Sequence, residues 1–230
     1  MKITRFEDVP KVTRNAGYAV DIPLRSIPRT LIHYVEDYSL QMSPDFQRGY
    51  VWTLEQKQRY TVHLLRCGAT GRDIHFNCVG WNRDHKLGEF VLVDGKQRLD
   101  ALIGFLSNDF PVFGSYYHEF TDVLRLGEAG LRFHINDLAT RAECLQWYLD
   151  LNTGGTVHSA TELDMVAELM RGGAHEVPSK EEIVAQARLD RPAMWAAMAQ
   201  DAAWKAERKL ARETATVIPK KGARGGRKGK

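Results

Sequence analysis

The sequence predicts an α+β fold, with a small sheet in the first 135 residues and a helical half after it. Three observations carry this. Apolar residues alternate with polar ones from Ile74 to Trp81, and Glu89 to Val93 is a second short apolar run, as strands require. Elsewhere the apolar spacing is helical, at three and four residues. Downstream of residue 135, Ser/Thr residues stand three places before Glu at Thr140, Ser159 and Ser179, the pattern of a capping box.

Taken in order, the elements begin after a poorly patterned start. Ser26 precedes Ile27-Pro28, with apolar residues at Leu31, Ile32, Tyr34, Val35 and Tyr38; this predicts a helix with a cap and an early proline. Met42 to Trp52, MSPDFQRGYVW, reads as extended and turn-like. Thr53-Leu54-Glu55-Gln56 opens a helix that ends near Cys67-Gly68. The strands at 74–81 and 89–93 flank a polar turn, Asn82 to Gly88, and so predict a hairpin. The pattern breaks at Asp94-Gly95 and turns helical from Arg98, where Leu99, Leu102, Ile103 and Leu106 share a face. Leu131 to Ile135 predicts a short strand. A helix through Leu145, Tyr148 and Leu151 stops at Asn152-Thr153-Gly154-Gly155, two more helices follow, and Pro192 to about Ala215 reads as the last. The expected organisation is 1–135 as the α+β part, 136–218 as a helical part completing the same domain, and 219–230 as a disordered basic tail.

Charge is distributed unevenly. The chain holds 32 basic and 29 acidic residues, a net of +3. Lys220, Lys221, Arg224, Arg227, Lys228 and Lys230 all lie in the last eleven residues, which contain no acid. Residues 1–219 therefore carry 26 basic against 29 acidic, a net of −3. This excludes a uniformly basic nucleic-acid-coating protein and points to a globular body with a cationic tail that can hold DNA by its phosphates. Three cysteines make no disulfide framework, and His75-x-x-Cys78 lacks the second pair a zinc site needs. With no signal-like segment and no long apolar run, we expect a cytoplasmic protein without a membrane partner.

The segment with most chemistry is Val93-Asp94-Gly95-Lys96-Gln97-Arg98. A turn from a strand into a helix presents unpaired backbone N–H groups at the positive end of the helix dipole, which favours anions. Gly95 lets a phosphate approach the backbone, Lys96 and Arg98 bring positive charge, and Gln97 brings a neutral donor. Asp94 can serve a magnesium ion or orient one of the cations. As a plain turn, the same residues would be solvated. Asp84 with Asp94-Gly95-Lys96 also fits, superficially, the acid…acid-x-Lys pattern of metal-dependent nucleases. Gln47-Arg48 beside Tyr50 and Trp52 can grip a phosphate and stack on a base, or simply pack in the core. Asn152-Thr153-Gly154-Gly155 is by itself only a helix end.

In this order, PDFQRGYVW, VDGKQRLDAL and LNTGGT followed by Glu162 resemble the N-terminal domain of the GmrSD family, whose signature is DGQQR. The likeness spans roughly residues 20–170. It implies a ParB/sulfiredoxin-like fold that binds and hydrolyses an NTP (ATP, GTP or CTP) with Mg²⁺, in modification-dependent DNA restriction and phage defence. The family's nucleotide motif falls on Asp94, Gly95, Lys96, Gln97 and Arg98. Its upstream QR falls on Gln47 and Arg48, and its downstream motif on Asn152, Thr153, Gly154 and Gly155. Lys96 departs from the usual glutamine, which puts nucleotide choice and hydrolysis in doubt. The eight histidines form no paired-histidine motif after the domain, so we expect a version lacking the HNH nuclease module and working with a separate nuclease subunit.

Three functions follow. In an NTP-dependent enzyme, Arg98 and Lys96 stabilise charge on the transferring phosphoryl group, Arg48 closes from the opposite side and Asp94 serves the metal. A binding module would hold nucleotide and DNA without turnover. A nuclease would use the same acids and cations directly on DNA. The first is the expectation taken forward.

Overall fold

The structure is a computed structural model that describes residues 2–5, 9–10, 18–81, 88–122, 124, 129–152, 160–172, 175–199, 202–203 and 206. Its centre is a five-stranded mixed sheet: β1 (Tyr18–Pro23), β2 (Leu40–Gln41), β3 (Asp73–Cys78), β4 (Phe90–Asp94) and β5 (Gly130–Asn136), in the spatial order β1-β5-β3-β4-β2. The predicted hairpin pairing is present, with β3 and β4 antiparallel. On its other side β3 runs parallel to β5, and β5 is antiparallel to β1. The fold is α+β, as the residue pattern predicts.

β4 is apolar at Phe90, Val91, Leu92 and Val93 because both of its faces are covered. Phe90 and Leu92 join the larger core with Phe76, Phe133 and the buried stripe of α1 (Ile27–Tyr38). Val91 and Val93 face a second core with Phe46, Leu145, Trp147 and Tyr148. The first core also takes residues of α2 (Leu54–Leu65), α3 (Lys96–Leu106) and α6 (Lys180–Asp190); the second is built by α4 (Arg141–Asn152) and α5 (Ala160–Arg171). Buried Asn77 fixes the entry to α4, donating to the Leu138 carbonyl at 3.1 Å and accepting from the Leu138 amide at 2.9 Å.

Several local expectations need correction. Ser26 makes no side-chain cap; it is already in helical geometry, and Thr30 Oγ1 donates back to its carbonyl at 2.9 Å. α3 begins at Lys96, two residues before the apolar periodicity starts, because its first turn faces the functional cavity rather than the core. β1 and β2 are additions: β1 is an edge strand with largely exposed residues, and β2 is only two residues long. The capping boxes at Thr53 and Ser179 are present. At Thr140, Glu143 Oε2 accepts from the Thr140 amide at 2.9 Å, and the Glu143 amide donates to Thr140 Oγ1 at 3.2 Å. Residues 192–199 are helical. Ser159, Asp84, Trp204 and the basic tail lie outside the described residues.

The packing makes a direct prediction about the thiols. Cys67 is exposed, whereas Cys78 and Cys144 are buried and burial pushes both thiols up to about 12. With a polar disulfide reagent, the folded protein should lose one thiol quickly, and all three only after unfolding in guanidinium. Fast reaction of all three in the native protein would contradict the two-sided burial of the sheet.

Candidate functional site: an anion cavity at the β4–α3 junction

A single residue, Gly95, separates β4 from α3. Turning a strand into a helix in one step takes a backbone that L side chains avoid, and Gly95 has φ +104°. A Cβ there would also sit 2.4 Å from Ile74 Cδ1. No side chain caps the helix, so the first amides of α3 lack the intrahelical and capping partners that later amides have. They open onto a cavity of about 220 Å³.

All three sequence segments meet in this cavity. Gln47 and Arg48 line it from the loop before α2, Asp94, Gly95, Lys96, Gln97 and Arg98 from the β4–α3 junction, and Asn152 from the end of α4. Thr153, Gly154 and Gly155 lie outside the described residues. Trp52, offered by the sequence as a surface for stacking, lines the space too, as do Tyr148 and Leu151, which the sequence did not put forward as site residues. Tyr148 and Leu151 belong to the helical spacing of α4, so their sequence signal is indistinguishable from core.

The side chains divide into those spent on architecture and those aimed at the cavity. Gln97 belongs to the first group. Its Oε1 accepts from the amides of Val51 (3.1 Å) and Trp52 (3.3 Å), and its Nε2 donates to the Gly49 carbonyl at 2.8 Å. The neutral donor expected for an anion is therefore a clasp on the loop. Gln47 is a second clasp: Nε2 donates to the Leu92 carbonyl at 2.5 Å, just beyond the two β4 residues that β2 pairs. Asn152 Nδ2 turns back to the Tyr148 carbonyl at 2.7 Å.

The cations are arranged differently. Lys96 is only 9% exposed; its Nζ donates to the Arg48 carbonyl at 3.0 Å and lies 4.7 Å from the centre of the Tyr50 ring. Burial, then the charge of Arg191, pushes its ammonium down to about 8, so it remains mostly protonated at neutral pH. Arg98 pairs with Asp94 one helical turn back, while its buried Nε has no partner among the described residues. An orphaned, buried guanidinium N–H beside open helix amides is what an anion would satisfy.

Asp94 is held from two sides. His75, its register partner on β3, places Nδ1 3.6 Å from the carboxylate, a charge-pairing distance rather than a hydrogen bond. Burial raises the Asp94 pKa, but His75 and Arg98 together lower it by more, and the group lies below its ordinary value. Among the described residues no group of three or more His, Cys, Asp or Glu side chains could hold a metal ion. A lone carboxylate would hold a divalent cation here only with further ligands from outside the chain, such as phosphate oxygens.

Residues 31–136 match the family model of the GmrSD restriction endonuclease, N-terminal domain. Over this stretch the chain is similar to that domain. The stretch runs from within α1 to the end of β5 and contains Gln47, Arg48 and the whole Asp94–Arg98 turn. Asn152 lies beyond it. No curated protein and no solved structure matches the chain. The matched family suggests a restriction- or defence-related function. Among the described residues no helix is long and apolar enough to cross a membrane.

Two measurements test the junction. Gly95→Ala should lower unfolding free energy by about 1–3 kcal/mol through strain at a positive φ, read from denaturant midpoints. For Asp94 the folded pKa lies below the ordinary 3.8, so its stabilisation is present at neutral pH and lost as pH falls through the folded value. The stability gap between wild type and Asp94→Asn should therefore be open at pH 7 and shrink in acid below about pH 4. A gap independent of pH would remove Asp94 from the ion pair.

Proposed function

We propose that the cavity binds the phosphates of a magnesium–NTP complex and supports its hydrolysis within a DNA restriction or defence process. The observation that carries this is the orphaned Arg98 Nε beside the uncapped start of α3, in a cavity that Lys96 and Arg48 also line. The amides and Arg98 would take phosphate oxygens, and Arg48 would face them from the opposite wall. Asp94 would be the chain's own ligand to the cation, which would supply charge neutralisation when bound with the nucleotide. Arg98 and Lys96 would stabilise charge that grows on the phosphoryl oxygens, and Trp52 would offer aromatic surface to a base.

Binding without turnover is the second reading, and the Asp94–Arg98 pair favours it. A carboxylate committed to an arginine is a poor base and a poor metal ligand until that pair opens. DNA would be held by the cations of 220–230, and a separate nuclease subunit would cut it.

Equilibrium titration with ATP, GTP and CTP in the presence of Mg²⁺, followed by phosphate release, separates these readings. Arg98→Ala should weaken binding of the preferred NTP by roughly 10- to 100-fold, the range for one charged hydrogen-bonding interaction. Binding unchanged in this variant would sink the assignment, and binding without phosphate release would select the second reading. Deleting residues 219–230 should reduce the salt dependence of DNA binding by roughly 0.9 in log–log slope for each phosphate that the tail neutralises. An unchanged slope would remove the tail from the DNA interface.

A further inference from the structure

Arg191 lies 55 residues beyond the family-matched stretch, immediately after α6, yet it reaches Tyr50 in the loop whose residues 47, 48 and 52 line the cavity. The residue is only 5% exposed. Its NH1 donates to Asp100 Oδ1 in α3 at 2.8 Å, and Lys57 of α2 holds the other oxygen of that carboxylate at 2.6 Å. Its Nε donates to Tyr50 Oη at 2.9 Å, and its guanidinium carbon lies 4.2 Å from the centre of the same ring. A buried arginine is thus shared between the helix that carries the Asp94–Arg98 turn and the loop that carries Gln47 and Arg48.

A purely structural ion pair would be complete with Asp100. The additional grip on Tyr50 serves a different end, because Tyr50 is 40% exposed and contributes little to the core. What its fixation does is hold the loop. Ser43 Oγ lies 3.2 Å from the same hydroxyl, and the Lys96 ammonium approaches the same ring while bonding to the Arg48 carbonyl. Gln97 ties the loop to α3 at residues 49, 51 and 52; Arg191 ties it at residue 50 to the chain beyond α6.

We propose that Arg191 is a positioning residue of the anion cavity: it fixes Tyr50, and through it the wall that presents Gln47 and Arg48. The residues after the matched domain then complete the site rather than merely follow it. The effect on ligand binding rests on the reading of the cavity as a nucleotide site; the effect on the loop does not.

The experiment uses the full chain as wild type, Arg191→Ala, Arg191→Lys, Tyr50→Phe and the Arg191→Ala/Tyr50→Phe double variant. Hydrogen exchange of residues 47–52, where the Val51 and Trp52 amides are protected by Gln97, is followed without ligand, with residues 73–78 of β3 as the internal control. Arg191→Ala should speed exchange at 47–52 about tenfold, the factor that follows from removing one hydrogen bond and one cation–π interaction, and leave β3 unchanged. Arg191→Lys should give a partial effect, since an ammonium can pair with Asp100 but cannot fork to Tyr50 as well. In parallel titrations with the magnesium salts of ATP, GTP and CTP, Arg191→Ala should raise the apparent Kd of the preferred one about tenfold. Adding Tyr50→Phe should then cost little more, because the two residues act through one shared interaction.

Loop exchange unchanged in Arg191→Ala, or raised equally at β3, would overturn the proposal. So would equal nucleotide affinity in wild type and Arg191→Ala, which would leave the nucleotide reading standing. Faster loop exchange in a protein that binds none of the three nucleotides would uphold the positioning role and defeat the nucleotide reading instead.

Discussion

The one-residue connection from β4 to α3 is the constraint on which the site depends. Gly95 allows the chain to leave a strand buried on both faces and enter a helix at once, with φ +104°. The consequence is that uncapped amides, two cations and a carboxylate leave the core together at a single point. Everything else around the cavity is positioned relative to this junction. β3 brings His75 beside Asp94 because the two are register partners. The loop of residues 47–52 lies over α3 because Gln97 binds its backbone at three places.

The electrostatics follow from the same geometry. A body with a net charge of −3 over residues 1–219 has no general attraction for anions. Any attraction for phosphate would therefore have to be local; Lys96 and Arg98 line the cavity, and Arg191 stands behind its loop, all three largely withdrawn from water. Withdrawing cations is costly, and each is compensated by a specific partner: the Arg48 carbonyl and Tyr50 ring for Lys96, Asp94 for Arg98, Asp100 and Tyr50 for Arg191. Arg98 Nε and Arg191 Nη2 are left without a hydrogen-bond partner among the described residues, and of the two Arg98 belongs to the first turn of α3.

Much of this organisation is legible in the sequence. The capping pairs at Thr53 and Ser179, the strands around 74–78 and 90–94, and the turn at Asp94-Gly95 are local signals, decided by neighbours within four residues. What could not be read depends on interactions between distant residues. β1 has no clean alternation because it is an edge strand, with Asp21 pointing out to Arg132 at 2.8 Å. Gln97 has the composition of a ligand donor, and only the fold shows that the loop 45 residues earlier takes both of its polar atoms. Arg191 carries no motif at all. Its role arises from partners 91 and 141 residues away.

If the start of α3 receives phosphate, the amide resonances of Lys96, Gln97 and Arg98 report on it most directly. Titration of the isotope-labelled chain with a magnesium–nucleoside triphosphate should give saturable shifts that are largest at these three amides. They should be reproduced in part by inorganic triphosphate, which carries the phosphates without the base. Shifts that leave these amides unmoved while the ligand saturates elsewhere would contradict the claim.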